Sequence, residues 1–297
     1  MNINQAFQKF IFAKQAKGLS IHSVNDYIYT TKDFRCKFGN KEISALSAED
    51  VMVYFINMNR TGRLSQTTCN TYQRSIKIFL RWAHENAEEM AFNPARLEVI
   101  PREKKSVYLL SDEAIRAIYK SVESKTDWLT ARNKAIIFLM LDSGLRQGEV
   151  AGLMINNLNL DKGTALVTGK GRKQRIVPLK TVVVGLLKEY LYKCPFKSQN
   201  VFIDRFGAPI TCNAIRKMIE RLKNKTGIKL SSHALRHNFA TNYCIDSIRK
   251  TGNANIAALS ALMGHSDIAT TEHYQHIALD QMASEAYISH VDKILLK

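Results

Sequence analysis

The chain has 297 residues, 45% of them hydrophobic and 9% aromatic, which excludes a disordered chain and leaves room for two domains of ordinary size. Its 43 Lys and Arg stand against 26 Asp and Glu, a formal charge of +17, so a polyanionic partner is the first expectation and a solvated basic surface the bland alternative. The five cysteines, Cys36, Cys69, Cys194, Cys212 and Cys244, are far apart and form no CxxC or Cys/His cluster. That excludes a disulfide framework and leaves no metal site to expect.

The opening MNINQAFQKFIFAKQAKG has no apolar core followed by a small-residue cleavage site, and no apolar run approaches membrane-spanning length. A cytoplasmic protein without a membrane partner is expected. Residues 1–91 read as helices separated by polar turns: Phe7, Phe10 and Ile11, then Tyr27, Phe34 and Phe38, fall near helical spacing. Ser47 and Asp50 make a capping box for a helix over Ala48 to Asn57, and Ser65 opens a longer one to about Asn86, giving a bundle of four helices. That last helix carries Thr67, Thr68, Asn70, Thr71, Arg74 and Lys77, a set suited to phosphates and base edges or to an ordinary solvated face.

Residues 92–107, FNPARLEVIPREKKSV, lose the apolar period and gain two prolines and a basic run, the mark of a linker. Residues 108–277 read as a mixed α+β domain. Ser111 caps one helix, Thr130 begins another, and a strand-rich stretch runs from about Ile155 to Pro178. Within it ALVT and RIVPL flank GKGRKQ, a β-hairpin with a glycine-rich basic tip, and VFIDRFGAPIT suggests a further short strand pair. Helices return over Cys212 to Lys225, Ser232 to about Asp246, Asn253 to Met263 and Asp267 to Tyr274. Residues 278–297 form an apolar-studded tail. The fold class expected is mainly α with a small antiparallel β-sheet.

Four segments of the second domain carry chemistry. SGLRQGEVAGL places Arg146 three residues before Glu149; GKGRKQR sets Lys170 between two glycines. SSHALRHNFAT puts His233 and Arg236 on one helix face, and LMGHSDIATTEHY supplies His265 and Tyr274. Singly these read as a surface ion pair, an exposed basic turn, a chance HxxR and a helical tyrosine. Together they supply charge for a phosphorane, proton donors and acceptors, and a nucleophile, which is what metal-free phosphoryl transfer needs.

The order Arg, Lys, His-x-x-Arg, His, Tyr resembles the tyrosine recombinase family, as in phage and transposon integrases and the Xer proteins. GLRxGE, GKGxKxR, HxLRHxFAT and MGHSDIATTEHY carry the likeness from about Leu109 to Ile277. The resemblance implies an N-terminal helical core-binding domain of SAM-like type and an α+β catalytic domain. It makes Arg146 and Arg236 clamps on the scissile phosphate. Lys170 becomes the general acid for the 5′-oxygen, Tyr274 the nucleophile and His233 the acceptor of its proton. His265 would bond a nonbridging oxygen or the tyrosine's surroundings, and Glu149 would orient Arg146 or the hairpin lysine. The basic residues Arg172, Lys173, Arg175 and Arg216 are expected to join the helix residues named above in touching DNA.

The same resemblance implies a reversible transesterification with no cofactor, a 3′-phosphotyrosine intermediate and a Holliday junction. A homo-tetramer would act on double-stranded DNA recombination sites, with accessory proteins as further partners. The tail over 278–297 would dock on a neighbouring subunit or fold back on its own domain. The segment YCIDSIRKTGNANIAAL is longer than in typical Xer proteins around Ser247 to Asn255, and no arm-binding domain precedes the bundle. An integrase, transposase or resolvase of a mobile element is therefore expected, with Xer-like chromosome or plasmid dimer resolution as the alternative. Topoisomerase-like relaxation and a non-catalytic DNA-binding protein of the same fold are the readings from other classes.

Overall fold

A computed structural model describes residues 1–86, 90–99, 108–169, 171, 173–265 and 267–286. They divide into two compact units, Met1–Lys105 and Ser106–Lys297, and the division falls inside the stretch read as a linker.

The described residues of the first unit form five α-helices rather than four: α1 (Ile3–Ala16), α2 (Ile21–Thr30), α3 (Lys32–Phe38), α4 (Ala48–Arg60) and α5 (Gln66–Asn86). The extra boundary lies at Thr31, whose backbone leaves helical geometry at φ −101° and ψ 0°. The hydroxyls of Thr30 and Thr31 donate to the Asp26 and Tyr27 carbonyls, the local bonding by which adjacent threonines bend a helix. The apolar period is blind to such a break, because Tyr27 and Phe34 face the core on both sides of it. α4 begins as its sequence indicates: the Ser47 hydroxyl accepts from the Asp50 amide at 3.1 Å and the Asp50 carboxylate from the Ser47 amide at 3.0 Å. The core is aromatic, with the Phe79 ring edge-on to Phe7 and Phe10 at 5.2 and 5.6 Å.

The second unit is built on α7 (Asp127–Ser143), which begins three residues earlier than Thr130. Residues 135–141 of α7 are apolar on all sides because they run through the interior, and α7 packs on α9 (Thr181–Lys193) and α11 (Ser232–Thr251). α6 (Asp112–Ser121) and α10 (Cys212–Thr226) pack on each other at the surface. A short α8 (Gln147–Ala151) leads to a three-stranded antiparallel sheet of β1 (Leu158–Asn159), β2 (Thr164–Thr168) and β3 (Gln174–Pro178). The β2–β3 hairpin closes at Thr168 opposite Gln174, which leaves Gly169, Gly171 and Lys173 at its tip. The second strand pair expected over VFIDRFGAPIT reduces to one bridge, Ile203 with Pro209. Proline has no amide hydrogen to extend a ladder.

α11 begins at Ser232 with Ser231 as its cap and runs five residues beyond Asp246. The Ser231 hydroxyl accepts from the Ala234 amide at 3.0 Å. After α12 (Ile256–Met263), α13 spans Ala269–Ala286, so the boundary drawn at 277/278 falls within a continuous helix and the tail begins as its extension. Residues 287–297 lie outside the described residues, as do Lys170, Arg172 and Ser266. No helix among the described residues is long and apolar enough to cross a membrane.

Candidate active site

The end of α7 sets the first part of the site. Gly144 closes the helix in the left-handed conformation at φ 62°, where a Cβ would meet the Phe239 ring at 2.3 Å, so both the turn and the packing require glycine. The chain re-enters helix at α8, and the Glu149 carboxylate reaches back to the Arg146 amide at 2.8 Å and to its Nη1 at 3.1 Å. Arg175, arriving from β3, donates Nη1 and Nη2 to the two oxygens of Glu149 at 2.7 and 2.8 Å, a fork-to-fork pair. Burial alone would raise the Glu149 pKa. Bonds from Arg175 and the Arg146 amide, with both guanidinium charges, bring it below the usual carboxylate value.

This knot reaches the α12–α13 turn. Arg175 Nε donates to the Leu262 carbonyl at 2.7 Å, and Arg146 Nη2 to the Gly264 carbonyl at 3.1 Å. Arg175 was expected on DNA; its side chain is only 12% exposed and is engaged in holding Glu149 and α12 instead.

Arg236 projects from α11 into the same turn and is 5% exposed. It donates to the carbonyls of Gly144 and Met263, and through Nη2 to His265 Nε2 at 3.0 Å. Burial, then the Arg146 charge, pushes its pKa down to about 10, so it stays charged at neutral pH. Because a guanidinium only donates, His265 Nε2 must accept. Its hydrogen then sits on Nδ1 and is donated to Thr271 Oγ1 at 2.8 Å. Burial and the charges of Arg236, Arg146 and Arg175 bring the His265 pKa down to about 4, which keeps the ring neutral.

Tyr274 is the first large side chain on the inner face of α13 and is 3% exposed, packed with Ala240, Cys244, Leu259 and Met263. Its hydroxyl lies 2.7 Å from Nδ1 of His237, not on His233, and burial raises its pKa. His233 is exposed, with its ring 6.4 Å from that of His237. His237 lies one residue after Arg236 and one helical turn after His233. Burial lowers its pKa, as do the neighbouring His273, His233 and Arg236. The motif HxLRHxFAT contains His237, but its tie to Tyr274 spans 37 residues of sequence and becomes visible only when α11 packs on α13. Thr271, buried beside His265, was likewise missed.

The remaining candidates are spread over the surface. On α5, Thr67 and Arg74 are exposed, and Thr68 and Thr71 are half-buried, bonded to Ser65 and to the Thr67 carbonyl. Lys77 donates to the Leu97 carbonyl. Asn70 is 1% exposed and belongs to the interior, which corrects its placement on a DNA-facing stripe: the 3.6-residue period puts it beside Cys69 and Gln73. Lys173 is exposed on the hairpin, and Arg216 is exposed on α10 with Nη2 on Asn213 at 2.8 Å. Among the described residues no group of three His, Cys, Asp or Glu side chains is arranged to hold a metal ion.

Residues 109–280 match the family model described as Phage integrase family, and residues 6–90 match the phage integrase N-terminal SAM-like domain. Tyrosine recombinase XerD of Halalkalibacterium halodurans is 26% identical over 293 residues, spanning 94% of this chain and 95% of that protein. Tyrosine recombinase XerC of Thermodesulfovibrio yellowstonii is 27% identical over 283 residues, spanning 91% and 90%. In fold, the chain matches the Tn1549 transposon integrase in complex with transposon right end DNA, with a TM-score of 0.73 at 18% identity. That match covers 96% of this chain and 99% of the other. With its Arg, HxxR, His and Tyr segments gathered in one domain and more than half its length matching the family model, the chain belongs to the phage integrase family of tyrosine recombinases, enzymes that cut and rejoin DNA.

Proposed function

We propose that the protein performs site-specific recombination through a 3′-phosphotyrosine bond at Tyr274. The observation that carries this reading is the gathering of Arg146, Arg236, His265 and Tyr274, from the N-cap of α8, α11, the α12–α13 turn and α13, around one turn of backbone at Met263 and Gly264. Arg146 and Arg236 supply two guanidinium forks for the nonbridging oxygens, and their positive charge is held in place before substrate arrives. Arg146, with a side chain 37% exposed, presents the open edge of the pair. His265, released from Arg236 by a phosphate oxygen, would donate to that oxygen once its hydrogen moves from Nδ1 to Nε2, with the Thr271 hydroxyl then donating back to Nδ1, and Lys170 would protonate the departing 5′-oxygen. Glu149 and Arg175 hold Arg146 in place.

The burial of Tyr274 has a consequence for the reaction. A phenol 3% exposed cannot touch a phosphodiester, so attack requires a movement that uncovers Tyr274 when the duplex binds. Each exchange conserves the bond energy in the phosphotyrosine, and a 5′-hydroxyl of the partner duplex reverses the step. Two duplexes call for four subunits and a Holliday junction between the two rounds of exchange. Double-stranded DNA sites, and accessory proteins that assemble on them, are the partners of this reading.

For the biological role, the segment around Ser247 to Asn255, longer by its sequence than in typical Xer proteins, favours a recombinase of a mobile element. Near end-to-end similarity to proteins named XerD and XerC supports dimer resolution as the second reading. A duplex selected by the full chain from a random-sequence library, then nicked near the cleavage point, will trap wild-type protein covalently and will not trap Tyr274→Phe. Trapping of the phenylalanine variant overturns the assignment. Mapping the selected sequence to a mobile-element end or to a chromosomal site separates the two roles.

A further inference from the structure

His237 is the one side chain hydrogen-bonded to the Tyr274 hydroxyl among the described residues, at 2.7 Å from Nδ1. It sits on α11 directly after Arg236, so the helix that carries a phosphate clamp also carries the group facing the nucleophile. We infer that His237 is a catalytic residue that takes the Tyr274 proton through Nδ1 during strand cleavage and returns it during rejoining. The inference rests on the phosphotyrosine reading above and names a residue that reading did not need.

The proton balance closes without another reactant. The Tyr274 O–H bond breaks as the phenol oxygen forms its bond to phosphorus, and the proton passes to Nδ1. The P–O5′ bond breaks and the 5′-oxygen takes a proton from Lys170. In the return step the 5′-hydroxyl attacks and gives its proton back to the neutral amine of Lys170, while the phenol oxygen leaves phosphorus and takes its proton back from the imidazolium of His237.

Three features of the site suit this task. A neutral ring that accepts at Nδ1 carries its hydrogen on Nε2, and His237 is kept neutral near pH 7 by burial and by the groups facing it, which are His273 on α13 and His233 and Arg236 on α11. His273, whose ring centroid is 4.2 Å from that of Tyr274, has its Nδ1 directed at the Thr270 carbonyl and is exposed. His233 is exposed too and is free to face a duplex. Since His237 and Tyr274 lie on facing helices, their bond can persist through a joint movement of α11 and α13.

The test is single-turnover trapping on the selected nicked duplex, made once with its natural 5′-oxygen and once with a 5′-bridging sulfur, a leaving group that needs no acid. Wild-type protein must form the adduct; if it does not, the phosphotyrosine reading fails, and with it the basis of this inference. Given that adduct, His237→Asn keeps an acceptor near the Nδ1 position but no basic nitrogen, and is expected to trap about 100-fold more slowly. Its rate should rise close to tenfold per pH unit between pH 7 and 9, as free phenolate replaces assisted deprotonation, and sulfur should not rescue it. Lys170→Ala should be rescued by sulfur, and His233→Asn should be slower with a flat profile. Thermal melting and duplex affinity of His237→Asn establish that it folds and binds; His237→Gln replaces it otherwise. A wild-type or faster rate in the folded variant, or a loss that does not vary with pH, overturns the proposal. So does a sloping profile in His233→Asn in place of His237→Asn.

Discussion

His265 accepts from the Arg236 guanidinium through one nitrogen and donates to Thr271 through the other, so a second proton on the ring would set two donors face to face at 3.0 Å. Its folded pKa of about 4 lies below the ordinary value of 6.5, so the folded state binds this proton less readily than the unfolded chain. The stabilisation from the neutral ring is therefore complete above about pH 6.5 and is lost as the pH falls towards 4. Urea unfolding of wild-type protein across that window should show a loss of stability that His265→Gln lacks; equal slopes for the two proteins would refute the account. At this scale the residue types were legible: arginines, a lysine, histidines and a tyrosine together are what metal-free phosphoryl transfer needs. Arg175 and Asn70 were not legible, because a basic or polar residue near a functional segment carries no mark of whether it points out or in.

Arg175 shows why elements as well as residues matter. From one place on β3 it holds Glu149 on α8 and the Leu262 carbonyl on α12, so the sheet, the Arg146 helix and the His265 turn are fastened by a single side chain. Removing one partner from a buried ion pair leaves a charge without compensation. Arg175→Met should therefore lower stability by about 3 kcal/mol in denaturant unfolding, and Arg175→Lys, a point charge in place of a fork, should recover only part of it. A methionine variant as stable as wild type would show that Arg146 alone satisfies Glu149. The joining of His273, Tyr274 and residues 278–286 into one helix belongs to this scale as well. Periodicity indicated apolar residues after Tyr274, while the continuity of α13 follows from its packing on α11 and α12.

For the whole molecule, charge is the property that bears on function. Twelve Lys and Arg stand against eight Asp and Glu in residues 1–91, so about +13 of the total +17 lies beyond them. If the enzyme grips its duplex through phosphates, the logarithm of affinity will fall linearly with the logarithm of salt concentration. About six phosphate contacts imply a loss of roughly 10³-fold between 50 and 200 mM. Fluorescence anisotropy of the full chain on its selected duplex measures that slope, and a slope near zero would remove phosphate contact as the main source of affinity.

Sequence by itself determined the family, the two-part helical organisation, the hairpin around GKGRK and the types of residue in the site. These follow from apolar period, turn residues and the order of reactive side chains, all of which are local or sequential. Tertiary structure decided which side chains meet. Glu149 is shared by Arg146 and Arg175, His265 is held neutral by Arg236, and the Tyr274 phenol is buried against His237. The reason is physical. Hydrogen bonding and desolvation depend on separations of a few ångströms between helices, and no period along the chain records how α11, α12 and α13 come together.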